Sequence, residues 1–148
     1  MFDINKVDRD IELFIFDIYI ALLKIKQVAN EFGNVQTLLH DFRSWDSVIR
    51  EFEIIGEATK YLLRDKLITK EHQRIVDFRN QIMHEYFGLD QDVVWTIIGT
   101  DLDSFEGIIL KLIKNIEPSL KYELLETFIE DNKYLDFIVK ALERLENE

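Results

Sequence analysis

Ser44-Trp45-Asp46-Ser47-Val48-Ile49-Arg50-Glu51-Phe52-Glu53-Ile54-Ile55-Gly56-Glu57-Ala58-Thr59-Lys60-Tyr61-Leu62-Leu63 repeats its apolar residues at the spacing of an α-helix. On a wheel of roughly 100° per residue, Trp45, Val48, Ile49, Phe52, Ile55, Leu62 and Leu63 share one arc. Ile54, Ala58 and Tyr61 form a smaller second arc. A helix that is apolar on two sides is buried on both. The pattern predicts a bundle core against the first arc and a subunit contact against the second. Ser44 is placed to cap this helix, which is expected to run to about Leu67.

The same period extends outward from this stretch. A first helix is predicted from about Ile4 to Glu31 with Gly33 as its stop, followed by a short segment over Val35–Phe42. Thr69 is expected to cap a helix that runs to about Phe87 and stops at Gly88. Asp90 caps the next piece, through Val93, Val94, Trp95, Ile97 and Ile98, and Gly99 and Asp101 make a bend. A further helix carries Phe105, Ile108, Ile109, Leu112, Ile113 and Ile116 up to a break at Pro118. Two short helices are expected beyond it, one with Leu120, Leu124, Leu125, Phe128 and Ile129, the other with Leu135, Ile138, Val139, Leu142 and Leu145.

Composition agrees with that reading. The chain has 148 residues, 47% hydrophobic, with only five glycines and one proline. That excludes a disordered chain and disfavours all-β folds, which need many Gly/Pro-rich turns. The expected fold is all-α: an antiparallel four- to five-helix bundle over residues 1–118, with residues 119–148 as a helical extension of the same single domain.

Several function classes fall away. With no cysteine, disulfides, thiolate metal sites and thiol nucleophiles are impossible. No Gly-rich phosphate loop follows a strand. His40, His72 and His84 show no metal-ligand spacing, so neither a metal ion nor another cofactor is expected. Eighteen basic residues against 29 acidic ones give a net charge of −11, spread evenly along the chain. Long-range attraction for nucleic acid is therefore weak, which leaves room for a small cleft acting on RNA and none for a DNA partner. The start, MFDINKVDRDIELF, carries acids early and no basic run, and no apolar run is long enough for a membrane span, so a cytoplasmic location is expected.

The chemically informative stretch is Phe78-Arg79-Asn80-Gln81-Ile82-Met83-His84-Glu85-Tyr86-Phe87-Gly88. A histidine can move protons near neutral pH, an arginine can hold a phosphate with a forked charged donor, and an asparagine can orient either. Asp77, Asn80 and His84 fall at i, i+3 and i+7 on the polar face. Arg79 and Tyr86 instead sit near the centre of the apolar arc of Ile75, Phe78, Ile82 and Met83. An arginine there is costly unless paired or opening into a cleft. Arg79 and His84 are also about 140° apart in a straight helix. They converge only through an irregular helix end, a wrapping Arg79, or a second subunit. The plainer alternatives are a histidine favoured by the helix dipole and an arginine in a structural ion pair.

Arg79-x4-His84-x-Tyr86, with Asn80 after the arginine, resembles the Arg-x4-His-x-Tyr signature of HEPN proteins of the HepT-like group. Phe52-Glu53-Ile54-Ile55-Gly56-Glu57-Ala58 is similar to that family's Ile-Gly-Glu-Ala helix, and His84–Asp90 with Val94–Ile98 is similar to its segment after the histidine. The likeness covers about residues 1–116. Lys70-Glu71-His72-Gln73 lacks the Pro-Trp pair often seen before the motif helix.

The resemblance implies a HEPN bundle that forms a homodimer around a shared cleft. It implies metal-independent RNA cleavage by the toxin of a toxin–antitoxin pair, leaving a 2′,3′-cyclic phosphate and a 5′-hydroxyl. The implied partner is a nucleotidyltransferase antitoxin that adds AMP to the motif tyrosine, here Tyr86. His84 would be the general acid or base, Arg79 would stabilise charge on the phosphate, and Asn80 would orient one of them. Asp77 is a possible supporting residue. Glu57 is either a solvated charge near Arg50 and Arg64 or a buried counter-charge for Arg79. Trp45 and Trp95 read as core residues, His40 and His72 as surface residues. The alternative function is a non-catalytic nucleotide- or partner-binding subunit of a nucleotidyltransferase.

Overall fold

The computed structural model describes residues 10–84 and 90–147. In chain order these form α1 (Ile11–Asn30), α2 (Val35–His40), α3 (Phe42–Arg64), a 3₁₀ turn (Lys70–His72), α4 (Gln73–His84), α5 (Gln91–Thr96), a π turn (Ile97–Asp101), α6 (Leu102–Lys114), α7 (Pro118–Asp131) and α8 (Asp136–Glu146). The described residues contain no strand. The fold is an all-α bundle, as expected. The predicted start of the first helix at Ile4 and the predicted stop at Phe87–Gly88 lie outside the described residues.

The helix α1 is the axis of the bundle. Ile15, Phe16, Ile18, Tyr19, Ile20, Ala21, Leu22 and Ile25 are all buried, so apolar residues surround it on almost every side. It packs chiefly on α3 and then on α6. Phe14, near its start, stacks on Tyr61, near the end of α3, with ring centroids 4.5 Å apart. Lys26, near its end, pairs with Asp103 and Glu106 at the start of α6. Both contacts make the neighbouring helices antiparallel to α1.

These contacts correct the reading of the second apolar arc on α3. Ala58 is buried, Tyr61 is stacked on Phe14, and Ile54 is packed against the core. The chain's own α1 covers the face that periodicity assigns to a second subunit. A wheel identifies a face that needs cover and cannot identify which helix supplies it.

Helix ends differ from the expected ones by a few residues. Asp41 caps α3, its Oδ1 accepting from the Ser44 N–H at 3.1 Å, so Ser44 lies inside the first turn. The helix stops at Arg64, short of Leu67. Lys66 there adopts the left-handed region at φ 59°, and the Lys66 and Leu67 N–H groups reach back to the Leu63 and Leu62 carbonyls. That is the double bond of a Schellman stop, with lysine where glycine is usual. Thr69 precedes the 3₁₀ turn instead of capping α4, and its hydroxyl donates to Glu71 at 2.9 Å. His72 in that turn is not a surface residue. Its side chain is 12% exposed and its ring lies 5.3 Å from that of Phe105. Asp90 caps α5 as expected, accepting from the Asp92 and Val93 N–H groups. The bend expected at Gly99 is a π turn.

Pro118 begins a helix as much as it ends one. It occupies the first turn of α7, where a missing N–H costs nothing. Glu117 caps that turn, accepting from the Ser119 and Leu120 N–H groups at 3.0 Å each. The last two helices pack on each other, and α8 packs on α1. Phe128 stacks on Phe16 at 5.1 Å, and Ile138, Ala141, Leu142 and Leu145 join the core cluster.

One acid is buried in this packing. Glu51 is 8% exposed, near Asp17 and Lys24 of α1 and Asp131 and Asn132 at the end of α7. Burial raises its pKa, against the opposing pull of Lys24 and Arg50. A carboxyl with a raised folded-state pKa contributes most to stability when protonated, and that contribution is lost as pH rises through the folded pKa. Glu51→Gln is therefore expected to raise the melting temperature at neutral pH. The gain should shrink as pH falls through the raised pKa, which thermal melts across a pH series will check.

Candidate active site

The helix α4 buries Ile75, Val76, Phe78 and Ile82. Phe78 meets Phe52 of α3 edge-on, with centroids 5.0 Å apart and planes at 79°. Its other face is polar. Asp77, Asn80 and His84 are all exposed on it, as the i, i+3, i+7 spacing requires. Gln73 donates to Asp77 at 3.2 Å. His84 is the last residue of α4.

Arg79 lies on the opposite side, in the seam between α3 and α4, with its side chain 13% exposed. The seat is Gly56. A Cβ at Gly56 would fall 2.4 Å from Arg79 Cβ, 2.6 Å from Cγ and 3.2 Å from Nε. The arginine stem thus lies directly on the backbone of α3, and the guanidinium continues to the edge of the seam. There Nη2 donates to Glu57 Oε2 at 2.9 Å. The same oxygen accepts from Lys60 at 3.1 Å. Glu57 is the counter-charge of Arg79, and it is 50% exposed instead of buried. An arginine can occupy an apolar face in this way because its stem is buried while its charge is paired at the rim.

This geometry joins two motifs that lie 22 residues apart. In Ile55-Gly56-Glu57-Ala58, Ile55 and Ala58 are buried core residues, Gly56 makes room for the arginine and Glu57 holds its charge. The sequence pattern marked Gly56 without disclosing what it accommodates. The signal was a glycine in the middle of a helix, where its backbone freedom is a cost and close packing compensates.

Arg79 and His84 are not brought together within one chain. The helix stays regular to His84, Arg79 turns toward α3, and His84 faces solvent. Tyr86 lies outside the described residues. Trp45 is buried, and Trp95 is half-buried against the core. Among the described residues, no group of three or more His, Cys, Asp or Glu side chains is placed to hold a metal ion. No described helix is long and apolar enough to cross a membrane.

Gly56→Ala must push the two helices apart, because the atom it meets is a Cβ and cannot swing away. Overpacking of this kind costs about 1–3 kcal/mol. Gly107, inside α6, has nothing within 4 Å of the corresponding Cβ position. Gly107→Ala is expected to stabilise by roughly 0.5–1 kcal/mol through helix propensity. Urea unfolding of the two variants should shift in opposite directions.

Residues 18–112 match the family described as Ribonuclease HepT-like. The chain is 33% identical over 104 residues to the "Probable ribonuclease HepT" of Thermococcus cleftensis, covering 68% of this chain and 94% of that protein. Two proteins of Methanocaldococcus jannaschii, named as candidate RNases, are also similar. One is 31% identical over 102 residues, covering 64% of this chain and 88% of its own length. The other is 30% identical over 113 residues, covering 74% and 92%. No solved structure matches the chain. The family match spans α3, α4 and the Gly56–Arg79 contact between them, and on these grounds the chain belongs to the HepT-like ribonuclease family.

Proposed function

We propose that this protein is an endoribonuclease that cleaves RNA through its 2′-hydroxyl, without a metal ion, in a cleft formed by two copies of the chain. The observation that carries this reading is the placement of Arg79. Arg79, a permanent cation on the helix that also carries the exposed His84, is held at the rim of the α3–α4 seam by a half-exposed partner on α3, Glu57.

The chemistry needs no group beyond these side chains and the substrate. The 2′-oxygen attacks the adjacent phosphorus as its proton passes to a base. The bond from phosphorus to the 5′-oxygen breaks, and that oxygen takes up a proton. His84 serves the proton transfers, Arg79 offsets charge on the phosphate oxygens, and Asn80 orients one of the two. The products are a 2′,3′-cyclic phosphate and a 5′-hydroxyl. Because Arg79 and His84 point about 140° apart on one helix, a second chain supplies the missing half of each site.

The same reading makes the protein the toxin of a toxin–antitoxin pair, neutralised by a nucleotidyltransferase that adds AMP to Tyr86. A bulky anion near Arg79 would occupy the place of an RNA phosphate. The net charge of −11 favours a second reading, a non-catalytic binding subunit of such a transferase, since it gives RNA little long-range attraction.

Incubation with total RNA in EDTA separates the two. The wild type is expected to cleave, with Arg79→Ala and His84→Ala reduced at least about 100-fold, the low end for loss of general acid–base catalysis. His84→Ala should keep its circular dichroism, because His84 is exposed. Cleavage by His84→Ala at the wild-type rate would remove the assignment, and an inert wild type would favour the binding subunit. For Tyr86, labelled AMP from ATP and the partner transferase is expected on the wild type and absent from Tyr86→Phe. Equal labelling would place the acceptor elsewhere.

A further inference from the structure

A groove runs along α4 beside its polar face. It consists of two cavities, of about 250 and 360 Å³, that share Arg74, Ile75 and Asp101. The smaller one has an apolar wall of Phe52, Ile75, Phe78, Val93 and Ile97. Val93 is left exposed on it. Asp77, Gln81 and Asp101 set polar atoms around this wall. Arg74 crosses the groove, its Nη2 donating to Asp101 Oδ2 at 3.1 Å. Asp101 closes the π turn, and such turns are frequent at functional sites. The arginine side chain is 74% exposed, and an exposed pair of this kind contributes little, so Arg74 can leave Asp101 for another anion.

The groove is continuous with the catalytic face. Arg74, Gln81, Asp77, His84 and Asn80 fall within roughly 120° of arc on α4, and Arg74 stands about 15 Å along the axis from His84. That is a few nucleotides of an extended strand.

We infer that this groove is a nucleotide subsite for single-stranded RNA, seating one base against the apolar wall while Arg74 takes the adjacent phosphate. The inference rests on the ribonuclease reading above. Charge decides how the nucleotide lies. Asp77 and Asp101 repel a phosphate from the slot and accept hydrogen bonds from a base amine, as carboxylates do from the cytosine N4 amine. The phosphate is thereby directed to Arg74 at the mouth. The smaller cavity is below the about 300–1,000 Å³ of pockets that hold whole ligands, and suits a single ring. The subsite favours bases bearing an exocyclic amine over uracil.

The test is fluorescence anisotropy with labelled twelve-residue oligocytidylate and oligouridylate, in EDTA, over a salt series. The proteins are the wild type, Arg74→Ala and, as a control on an exposed arginine away from the groove, Arg43→Ala. The wild type is expected to bind oligocytidylate at least about 5-fold more tightly, the low end for one specific base contact. In Arg74→Ala the slope of log K against log salt should fall by about 0.7, the value for one phosphate on a single strand. Arg43→Ala should retain the wild-type slope. Equal affinity for the two oligonucleotides would overturn the base assignment, and an unchanged slope in Arg74→Ala would overturn the phosphate assignment. RNA binding without cleavage would remove the ribonuclease reading and leave the subsite standing. Cleavage with equal salt slopes for wild type and Arg74→Ala would do the reverse.

Discussion

Where α4 crosses α3, a glycine lets an arginine stem rest on the opposing backbone. No side chain with a Cβ fits at Gly56 without displacing Arg79. The contact sets the separation of the two helices, and the separation in turn decides where the guanidinium emerges. It emerges beside Glu57, one residue along α3. The arginine is therefore held by packing at one end and by charge at the other. A phosphate approaching the seam would meet a cation that is already oriented, with a partner exposed enough to be released or shared.

The rest of the bundle packs around that crossing. The axis helix α1 is covered by α3, α6 and α8, and its aromatic contacts at Phe14 and Phe16 fasten α3 on one side and α7 on another. The polar face of α4 remains free of this packing. It runs from Arg74 to His84, between the Arg79 seam and the groove closed by Asp101. The family match ends at residue 112, within α6. Helices α7 and α8 lie beyond it, and they bury Leu124, Leu125, Phe128, Ile138 and Leu142 in the same core cluster.

Burial and charge are handled differently at two neighbouring places on α3. Glu57 meets a guanidinium at the helix surface. Glu51, nearly two turns earlier, is buried where desolvation outweighs the pull of Lys24 and Arg50. The first carboxylate holds the Arg79 cation in place. The second is a cost that the surrounding apolar packing tolerates.

The sequence by itself determined the helices, the polar arc of Asp77, Asn80 and His84, and the anomaly of an arginine on an apolar face. Each of these is a local property. A period of 3.6 residues marks which side of a helix avoids water, and a charge on that side stands out without knowledge of its neighbours. Tertiary structure decided everything that depends on which neighbour arrives. It put α1 over Ile54, Ala58 and Tyr61, where periodicity suggested a second subunit. It put Phe105 beside His72, which looked like a surface residue. It moved the α3 cap to Asp41, because several nearby polar side chains compete for the same free N–H groups. It paired Arg74 with Asp101 across 27 residues and Arg79 with Glu57 across 22. Periodicity identifies the face of a helix that must be covered, but only the packed bundle brings together residues distant in the chain and so selects which side chain covers it.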